Sequence, residues 1–249
     1  IGIGRDDGIA AGEFSPIFFK SNFPFSLRFL FLVRLLNSYR SEIRLISNDT
    51  FWTSNTPFDV SRFPGAGSFR ICTIAHLQLK SGNRTAFTYL NTHMDDRSDA
   101  QRQLAASLIL YRARFEAVTT NKPVLITGDF NSAPTGPDSG AYKIITGAAP
   151  SVPINATFAA KFAVPPTAQE NFTALDLRAQ TPRRAVRSTL ATYTGFTSPS
   201  DTSVWTRIDF VFGGSNLGWT AEGYKMESSR TDDGVLASDH RPVFADVTL

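Results

Sequence analysis

Short apolar runs alternate with turn-forming residues along most of the chain, and this pattern predicts a protein built mainly on β-strands. The runs expected to form strands are Ser15 to Lys20, Ile43 to Ile46, Phe51-Trp52, Ile71 to Leu79, Ala86 to Thr92, Val124 to Thr127, Ile208 to Phe212 and Val243 to Val247. The segment from Lys80 to Arg84 is rich in turn residues, which predicts a hairpin between the strands that flank it.

One segment changes to a helical period. Its apolar residues at helical spacing are Leu104, Leu108, Tyr111 and Phe115. Ser98 and Gln101 precede them with the spacing of a capping box, so we expect a helix to begin there. The stretch from Thr135 to Pro166 is rich in Pro, Ala, Gly and Thr, which predicts long loops with one short helix near Tyr142 to Ile145.

Residues 21–42 form an atypical insertion that breaks this pattern with a dense apolar block from Phe23 to Leu36. The block is too short to span a bilayer, and its two arginines also argue against a membrane span. Three interpretations remain open: an amphipathic helix on a membrane surface, a hairpin-like insertion, and a translated intron. Ser21-Asn22 and Ser41-Glu42 can be encoded with splice donor and acceptor sequences, and excision between them keeps the reading frame, which favours the intron.

Composition limits the class of protein. With 249 residues, 42% hydrophobic and 19% charged, the chain can form one large domain with a substantial core, and most of it is not expected to be disordered. No repeat or linker divides residues 1–249, so we expect a single domain and a monomer. The net charge of +3 is a mild bias toward anionic partners and does not establish nucleic-acid binding.

The single cysteine, Cys72, excludes an intrachain disulfide framework. It lies in an apolar run, where we expect an inert core thiol. N-glycosylation sequons begin at Asn48, Asn83, Asn155 and Asn171. Four sequons favour a secreted protein, with a cytoplasmic location as the alternative.

Polar clusters stand next to several of the apolar runs. They are Asn91-Thr-His93, Gly128-Asp-Phe-Asn131, Arg207-Ile-Asp-Phe210 and Ser238-Asp-His240. Each alone is compatible with an ordinary turn. Their order predicts convergence on one edge of a sheet, where two histidines, three carboxylates and an amide suit metal-assisted attack of water on a phosphoester.

The set resembles the endonuclease/exonuclease/phosphatase superfamily, which contains deoxyribonuclease I-like nucleases, sphingomyelinases and inositol phosphatases, and in particular its microbial branch of unassigned substrate. The matching segments are Ile1 to Gly8, Gly12 to Phe18, Asn91 to His93, Gly128 to Asn131, Arg207 to Val211 and Ser238 to Val243. The resemblance implies an α/β fold: a four-layer α/β sandwich of two packed, mainly antiparallel β-sheets flanked by helices, with the active site at one end of the sheets.

The resemblance also implies roles for the site residues. His240 corresponds to the histidine that contacts the scissile phosphate, as general base or transition-state stabiliser, and Asp209 to the carboxylate that orients it. His93 corresponds to the second catalytic histidine, and Glu13 to the supporting carboxylate that pairs with it. Asp129 corresponds to the residue that positions or deprotonates the attacking water.

The remaining implied contacts are to phosphate and metal. Asn131 corresponds to the amide that binds a phosphate oxygen, and Arg70 to an arginine that neutralises the phosphate. Asp239 corresponds to a ligand of Mg²⁺ or Mn²⁺. The principal glutamate ligand of the family lies in amino-terminal strands that precede the segments matched here. We therefore expect an N-terminally incomplete domain that binds Mg²⁺ poorly and turns over slowly.

The function expected is a metal-dependent phosphoester hydrolase, whether phosphodiesterase, nuclease or phosphatase, that uses in-line attack by water. The alternatives are a catalytically impaired, truncated family member and a lipid phosphodiesterase held on a membrane surface by Phe23 to Leu36. The loops from Thr135 to Pro166 and from Thr194 to Ser203 are mainly small and neutral, which favours a small phosphoester over a long nucleic acid. No transmembrane segment is expected.

Overall fold

The computed structural model describes residues 1–17, 32–34, 43–80, 83–187, 191–198 and 200–249. The strands are β1 Leu32–Arg34, β2 Ile43–Trp52, β3 Ile71–Leu79, β4 Ala86–His93, β5 Val124–Asp129, β6 Ala174–Asp176, β7 Val186–Arg187, β8 Asp209–Gly214, β9 Thr220–Met226 and β10 Val243–Thr248. The helices are α1 Asp99–Thr120, α2 Gly140–Ile145, α3 Ala156–Lys161 and α4 Leu177–Gln180, with a 3₁₀ turn at Arg183–Ala185.

These strands form two mixed sheets. The larger sheet has the order β2-β3-β4-β5-β8-β6, and all its neighbouring strands are antiparallel except β4 and β5. The smaller sheet has the order β1-β10-β9-β7, in which β1 runs parallel to β10 and β7 parallel to β9. The α/β sandwich expected from the sequence is confirmed, with more parallel pairing in the smaller sheet than expected.

Helix α1 covers one face of the larger sheet. Ser98 caps its first turn by accepting the backbone N–H of Gln101 at 3.2 Å, and Asn121 ends it in the left-handed conformation with φ 52°. The capping box is only half formed, because the Gln101 side chain accepts the backbone N–H of Asp95 and donates to Thr53 instead. Helix α1 buries Leu104 against the sheet, in the largest hydrophobic cluster of the described residues.

The opposite face of the larger sheet packs toward the smaller sheet. Alternation along β3 and β4 places Ala75, Leu77, Phe87 and Tyr89 on this inner face. Trp219 and Leu249 pack against this cluster and against the buried residues of β9 and β10. The two sheets therefore share a core, and their ends form a common rim.

The structure corrects several element boundaries. Ile43 to Ile46 and Phe51-Trp52 belong to one ten-residue strand with a bulge between Leu45 and Ser47. The described part of the first predicted strand, residues 15–17, is irregular, and its remainder lies outside the described residues. The region from Thr135 to Pro166 contains two short helices, α2 and α3, where one was expected.

Most of the insertion at 21–42 lies outside the described residues; only the backbone of β1 within it is placed. The three interpretations of that block stay predictions. Among the described residues, no helix has the length and apolar character needed to cross a membrane.

Candidate active site

Three site residues occupy matching positions on adjacent strands. His93 at the end of β4 pairs in register with Asp129 at the end of β5, and Asp129 pairs with Asp209 at the start of β8. Because paired residues in a sheet point to the same side, the three side chains lie next to one another. The expected convergence on one edge is observed, although Asp209 opens a strand and does not end one.

His240 completes this group from the loop before β10. Its Nδ1 donates to Oδ2 of Asp209 at 2.8 Å, and its Nε2 lies 3.8 Å from Oδ2 of Asp129. Asp209 is buried, and a quarter of the His240 side chain is exposed. The pair therefore has the orientation expected from the sequence, with Asp209 behind the ring and Nε2 facing Asp129.

His93 extends the group on the other side of Asp129. Its Nε2 lies 3.4 Å from Oδ2 of Asp129, and its Nδ1 lies 3.4 Å from Oε2 of Glu13. Arg5 donates to the same Glu13 oxygen at 2.7 Å. Carboxylates and imidazoles thus alternate from Glu13 through His93, Asp129 and His240 to Asp209.

Asn131 lies beside this line of groups. Its backbone N–H donates to Oδ1 of Asp129 at 2.8 Å, and its side-chain amide donates to the carbonyl of Met94 at 3.0 Å. The backbone of Asn131 is left-handed, with φ 46°, a conformation that asparagine tolerates better than most residues. These contacts fix Asp129 and place the Asn131 amide next to it.

Arg70 is buried behind the site. Its guanidinium lies 3.4 Å from Asp95 and donates to Asp96 at 3.0 Å, and its Nη1 has no hydrogen-bond partner among the described residues. Its charge contributes to the low pKa of Glu13, so its field reaches the site. Phosphate neutralisation by Arg70 stays a prediction.

Asp239 is the predicted metal ligand that the structure does not bring into the carboxylate and histidine group. Its backbone carbonyl accepts the N–H of Thr194 at 2.7 Å, and its carboxylate is 3.5 Å from the hydroxyl of Ser238. Its charge still helps to raise the pKa of His240.

A cavity of about 680 Å³ opens over this group. His93, Asp129, Asp209 and His240 form one part of its polar lining. The rest of its lining includes Phe14, Pro16, Ile17, Tyr89, Ser229, Arg230 and Arg241. The cavity is wide enough for a small organic phosphoester.

The surroundings of the site residues shift the pKa values of its acids and bases in different directions. Burial and the nearby charge of Asp209 raise the pKa of Asp129 to about 6. Burial opposes the charged form of His240, but the hydrogen bond to Asp209 and the surrounding carboxylates outweigh it and raise the pKa of His240 to about 9. The hydrogen bond to His93 lowers the pKa of Glu13 to about 2 against the effect of burial. At neutral pH His240 is therefore a cation.

The same group can hold a divalent cation. Asp129, Asp209 and His240 each offer a ligand atom, and these atoms lie within 4.8 Å of one another. Carboxylate oxygens are the hard ligands that Mg²⁺ and Mn²⁺ prefer. Burial, and after it the charge of Asp209, raises the pKa of Asp129, and a nearby positive charge would favour its ionised form.

Two other predicted residues have structural surroundings. His76 forms hydrogen bonds with Ser47 and Glu116, both at 2.7 Å, and it does not line the cavity. Cys72 is fully buried, and burial raises the pKa of its thiol well above its usual range. The burial of Cys72 agrees with the inert core thiol expected from the sequence, and the contacts of His76 are those of a structural residue.

Sequence reasoning missed a segment that touches the site from behind. Residues 192–194 hydrogen-bond to the strand start at Asp209 and to the loop that carries His240. The ring of Tyr193 packs edge-on against His240, with ring centres 5.1 Å apart. Arg241 lies within the matching segment Ser238 to Val243 but was given no role; it lines the cavity with its guanidinium 4.3 Å from the centre of the Trp205 ring. No recognisable spacing marks residues 192–194.

Comparison with known proteins supports the fold. The sequence profile described as "Endonuclease/Exonuclease/phosphatase family" matches residues 26–240. No curated protein matches the chain in sequence.

Several solved structures share the architecture. An endonuclease/exonuclease/phosphatase from Bacteroides vulgatus is 24% identical with a TM-score of 0.71, over 100% of this chain and 75% of that one. A mannosyl-6-phosphatase from Bacteroides thetaiotaomicron is 23% identical with a TM-score of 0.69, over 100% of this chain and 76% of that one. The human Nocturnin catalytic domain is 14% identical with a TM-score of 0.50, over 83% of this chain and 60% of that one. At these identities the likeness establishes the fold.

Proposed function

Because the chain belongs to the endonuclease/exonuclease/phosphatase family, we propose that it hydrolyses phosphoester bonds with the help of a divalent metal ion. The observation that carries this proposal is the oriented pair of His240 and Asp209, which lies next to the buried carboxylate of Asp129 in the cavity wall. This arrangement combines a fixed cation with a carboxylate whose pKa of about 6 suits proton transfer near neutral pH.

Asp129 is the group that accepts a proton from the attacking water. Its Oδ1 is occupied by the Asn131 backbone N–H, which leaves Oδ2 directed toward the two histidines. The water oxygen bonds to phosphorus as the bond to the leaving oxygen breaks, and the proton of the water passes to Oδ2. Near neutral pH most of the Asp129 carboxylate is ionised and ready for this role.

His240 stabilises negative charge on the phosphoryl oxygens. With a pKa of about 9 it is protonated at neutral pH, so Nε2–H is a charged donor and not a base. Of the two roles that the resemblance left open for this histidine, the electrostatics favour the stabiliser. His93, held by Glu13, faces Asp129 from the other side and restrains that carboxylate.

The metal would be held by the carboxylates of Asp129 and Asp209, because a protonated His240 has no free lone pair for it. Ligation by Asp239 stays a prediction. When bound, Mg²⁺ or Mn²⁺ supplies positive charge for the oxygens of the reacting phosphate.

A small phosphoester, such as a sugar phosphate, is the substrate class we favour. The cavity of about 680 Å³ suits a small molecule, and the loops from Thr135 to Pro166 and from Thr194 to Ser203 are mainly small and neutral, with few contacts to offer a nucleic-acid backbone. The mannosyl-6-phosphatase among the structural neighbours has the same fold, which makes hexose phosphates a sensible first test.

The test is hydrolysis of p-nitrophenyl phosphate and bis-p-nitrophenyl phosphate with Mg²⁺ or Mn²⁺. We expect His240→Ala to reduce turnover by about 10²- to 10⁴-fold, because it removes both the charged donor and the partner of Asp209. His76→Gln is the matched control, since His76 lies outside the cavity wall, and it should retain activity. Equal activity of His240→Ala and the parent chain would refute the proposal.

A substrate panel then identifies the ester. It contains mannose 6-phosphate and other sugar phosphates, inositol phosphates, sphingomyelin, DNA and RNA. We expect the highest kcat/KM among the small phosphomonoesters; preference for DNA or RNA would contradict the substrate class.

A further inference from the structure

Three consecutive residues that no site motif includes connect the two halves of the catalytic pair. Residues 192–194, here the bridging segment, lie between the strand start that carries Asp209 and the loop that carries His240. Thr192 is fully buried, and Tyr193 forms antiparallel bridges to both Thr206 and His240. The segment therefore acts as a short additional strand at the site.

On one side, the bridging segment holds the start of β8. The Oγ1 of Thr192 accepts the backbone N–H groups of Ile208 and Asp209, each at 3.0 Å. The backbone N–H groups of Thr192 and Tyr193 both donate to the carbonyl of Thr206 at 2.9 Å. One buried hydroxyl thus fixes two consecutive peptide groups, including the one that carries the Asp209 side chain.

On the other side, the same segment holds the histidine loop. The carbonyl of Thr192 accepts the N–H of Arg241 at 2.6 Å, and the N–H of Thr194 donates to the carbonyl of Asp239 at 2.7 Å. These hydrogen bonds fix the backbone of the residues immediately before and after His240. The ring of Tyr193 then meets the His240 imidazole edge-on, at 63° between the ring planes.

We propose that Thr192 and Tyr193 are positioning residues for the His240–Asp209 pair: Thr192 sets the separation of the two backbones, and Tyr193 sets the tilt of the imidazole. This role rests on the function proposed above, because it assigns the two residues to the same reaction. Neither residue needs to touch the substrate for this role.

The physical reason is that the pair comes from segments 31 residues apart in sequence. Residues 192–194 hydrogen-bond to both backbones, so the 2.8 Å contact between the two side chains depends on these bonds. Displacement of a reacting group by about 1 Å can cost on the order of a hundredfold in rate. A hydroxyl that accepts two backbone N–H groups can be replaced by serine, which keeps the oxygen, but not by valine, which keeps only the shape.

The test compares Thr192→Val with Thr192→Ser. We expect valine to lower kcat by about tenfold to a hundredfold with little change in KM, and serine to restore most of kcat. Tyr193→Phe keeps the ring and should retain activity, whereas Tyr193→Leu should lower kcat. Thr181→Val is the matched control for loss of a buried hydroxyl, because among the described residues the Thr181 hydroxyl bonds to the carbonyl of Leu177, in the helix that Thr181 follows.

A second readout needs neither substrate nor metal. The Nδ1–H of His240 bonded to Asp209 should give a low-field proton NMR signal, assigned by its loss in His240→Ala. We expect this signal to persist in Thr192→Ser and Thr181→Val and to disappear or shift upfield in Thr192→Val, at a temperature where thermal melts show every variant folded.

The two readouts separate the two proposals. An inactive parent chain with a low-field signal that depends on the Thr192 hydroxyl would count against the hydrolase and support the positioning role. An active parent chain in which Thr192→Val keeps both kcat and the low-field signal would overturn the positioning role alone. A parallel loss of kcat in Thr181→Val would also overturn it, since buried hydroxyl loss anywhere would then suffice.

Discussion

The surroundings of the Asp129 carboxylate favour proton transfer but lower the stability of the folded protein. This carboxylate is buried, and the neighbouring Asp209 carboxylate opposes its ionisation, so its pKa rises to about 6. An acid whose pKa is higher in the folded protein than in the unfolded chain lowers stability as the pH rises from its unfolded pKa through its folded pKa. The ionised Asp129 carboxylate, which would activate water, therefore lowers the free energy of unfolding.

Asp129→Asn should consequently stabilise the metal-free protein while abolishing hydrolysis. At pH 8 we expect the free energy of unfolding to rise by about 1–3 kcal/mol, since each pKa unit corresponds to about 1.4 kcal/mol. The gain should shrink at pH 5, below the folded pKa, because the parent carboxyl is then largely protonated in the folded state. Urea unfolding with EDTA at both pH values measures this; a less stable variant at pH 8 would contradict it.

The proximity of the candidate site residues could be predicted from the sequence where a motif carries them. Glu13, His93, Asp129, Asp209 and His240 are in contact in the structure, as their motifs led us to expect. Thr192 and Tyr193 could not be found this way. Their roles consist of hydrogen bonds and ring contacts to residues far along the chain, and a threonine followed by a tyrosine has no distinctive pattern of its own.

Strand β5 ends in a backbone conformation that serves the site. Gly128 has φ 155°, and a Cβ there would lie 2.2 Å from the carbonyl oxygen of Thr92 on β4. The glycine thus lets the two parallel strands stay close where His93 and Asp129 pair.

Gly128→Ala should force β4 and β5 apart next to the two site residues. We expect a loss of about 1–3 kcal/mol in the free energy of unfolding, from overpacking against backbone, together with a fall in kcat. Gly136→Ala is the control, because Gly136 also has a positive φ, 101°, but no atom within 4 Å of its Cβ position. Chemical denaturation and steady-state kinetics give the two quantities; equal effects of the two substitutions would show that contact with Thr92 is unimportant.

Elements with strong local signals were predictable, and those that depend on packing were not. Helix α1 has a cap and a helical apolar repeat, and strand β3 has the predicted bounds. Strand β9 was missed because its glutamate, glycine and lysine weaken the alternation of apolar and polar residues. Its pairing with β10 supplies the stability that its composition lacks. Helix α3 is six residues long, too short to be stable without its tertiary contacts.

Two buried carboxylates join distant parts of the molecule. Asp95 accepts backbone N–H groups from Gly67 and Ser68 and lies beside Arg70. Glu116 on α1 binds His76 on β3 and Arg112 on its own helix. Burial alone would raise their pKa values, but the backbone N–H groups around Asp95, and His76 and Arg112 around Glu116, lower both.

Acid should therefore destabilise the whole fold. Carboxyl groups with a lowered folded pKa contribute stability above their unfolded values, 3.8 for Asp95 and 4.5 for Glu116, and that stability is lost as the pH falls through the folded values. We expect the free energy of unfolding to decline below about pH 5. Glu116→Gln should lower stability at pH 7 and flatten this decline, as measured by urea unfolding from pH 7 to pH 3. An unchanged slope would exclude Glu116 as a contributor.

The layered arrangement itself came from the resemblance and not from the residues. Apolar runs predict strands, but they do not say which strands are neighbours, and parallel pairing of β1 with β10 or β7 with β9 joins segments with no local connection. The family relationship supplied the sandwich, and the structure supplied the strand order within it.

Because His93, Asp129 and Asp209 share a register, the strand spacing of the larger sheet sets the distances between these three side chains. Neighbouring strands are about 4.8 Å apart, and a shift of one residue would turn a side chain to the opposite face. An insertion or deletion inside these strands would therefore dismantle the site in one step. Length changes in the loops beyond the strand ends leave this spacing intact, so the surroundings of the candidate site can vary while the positions of its side chains stay the same.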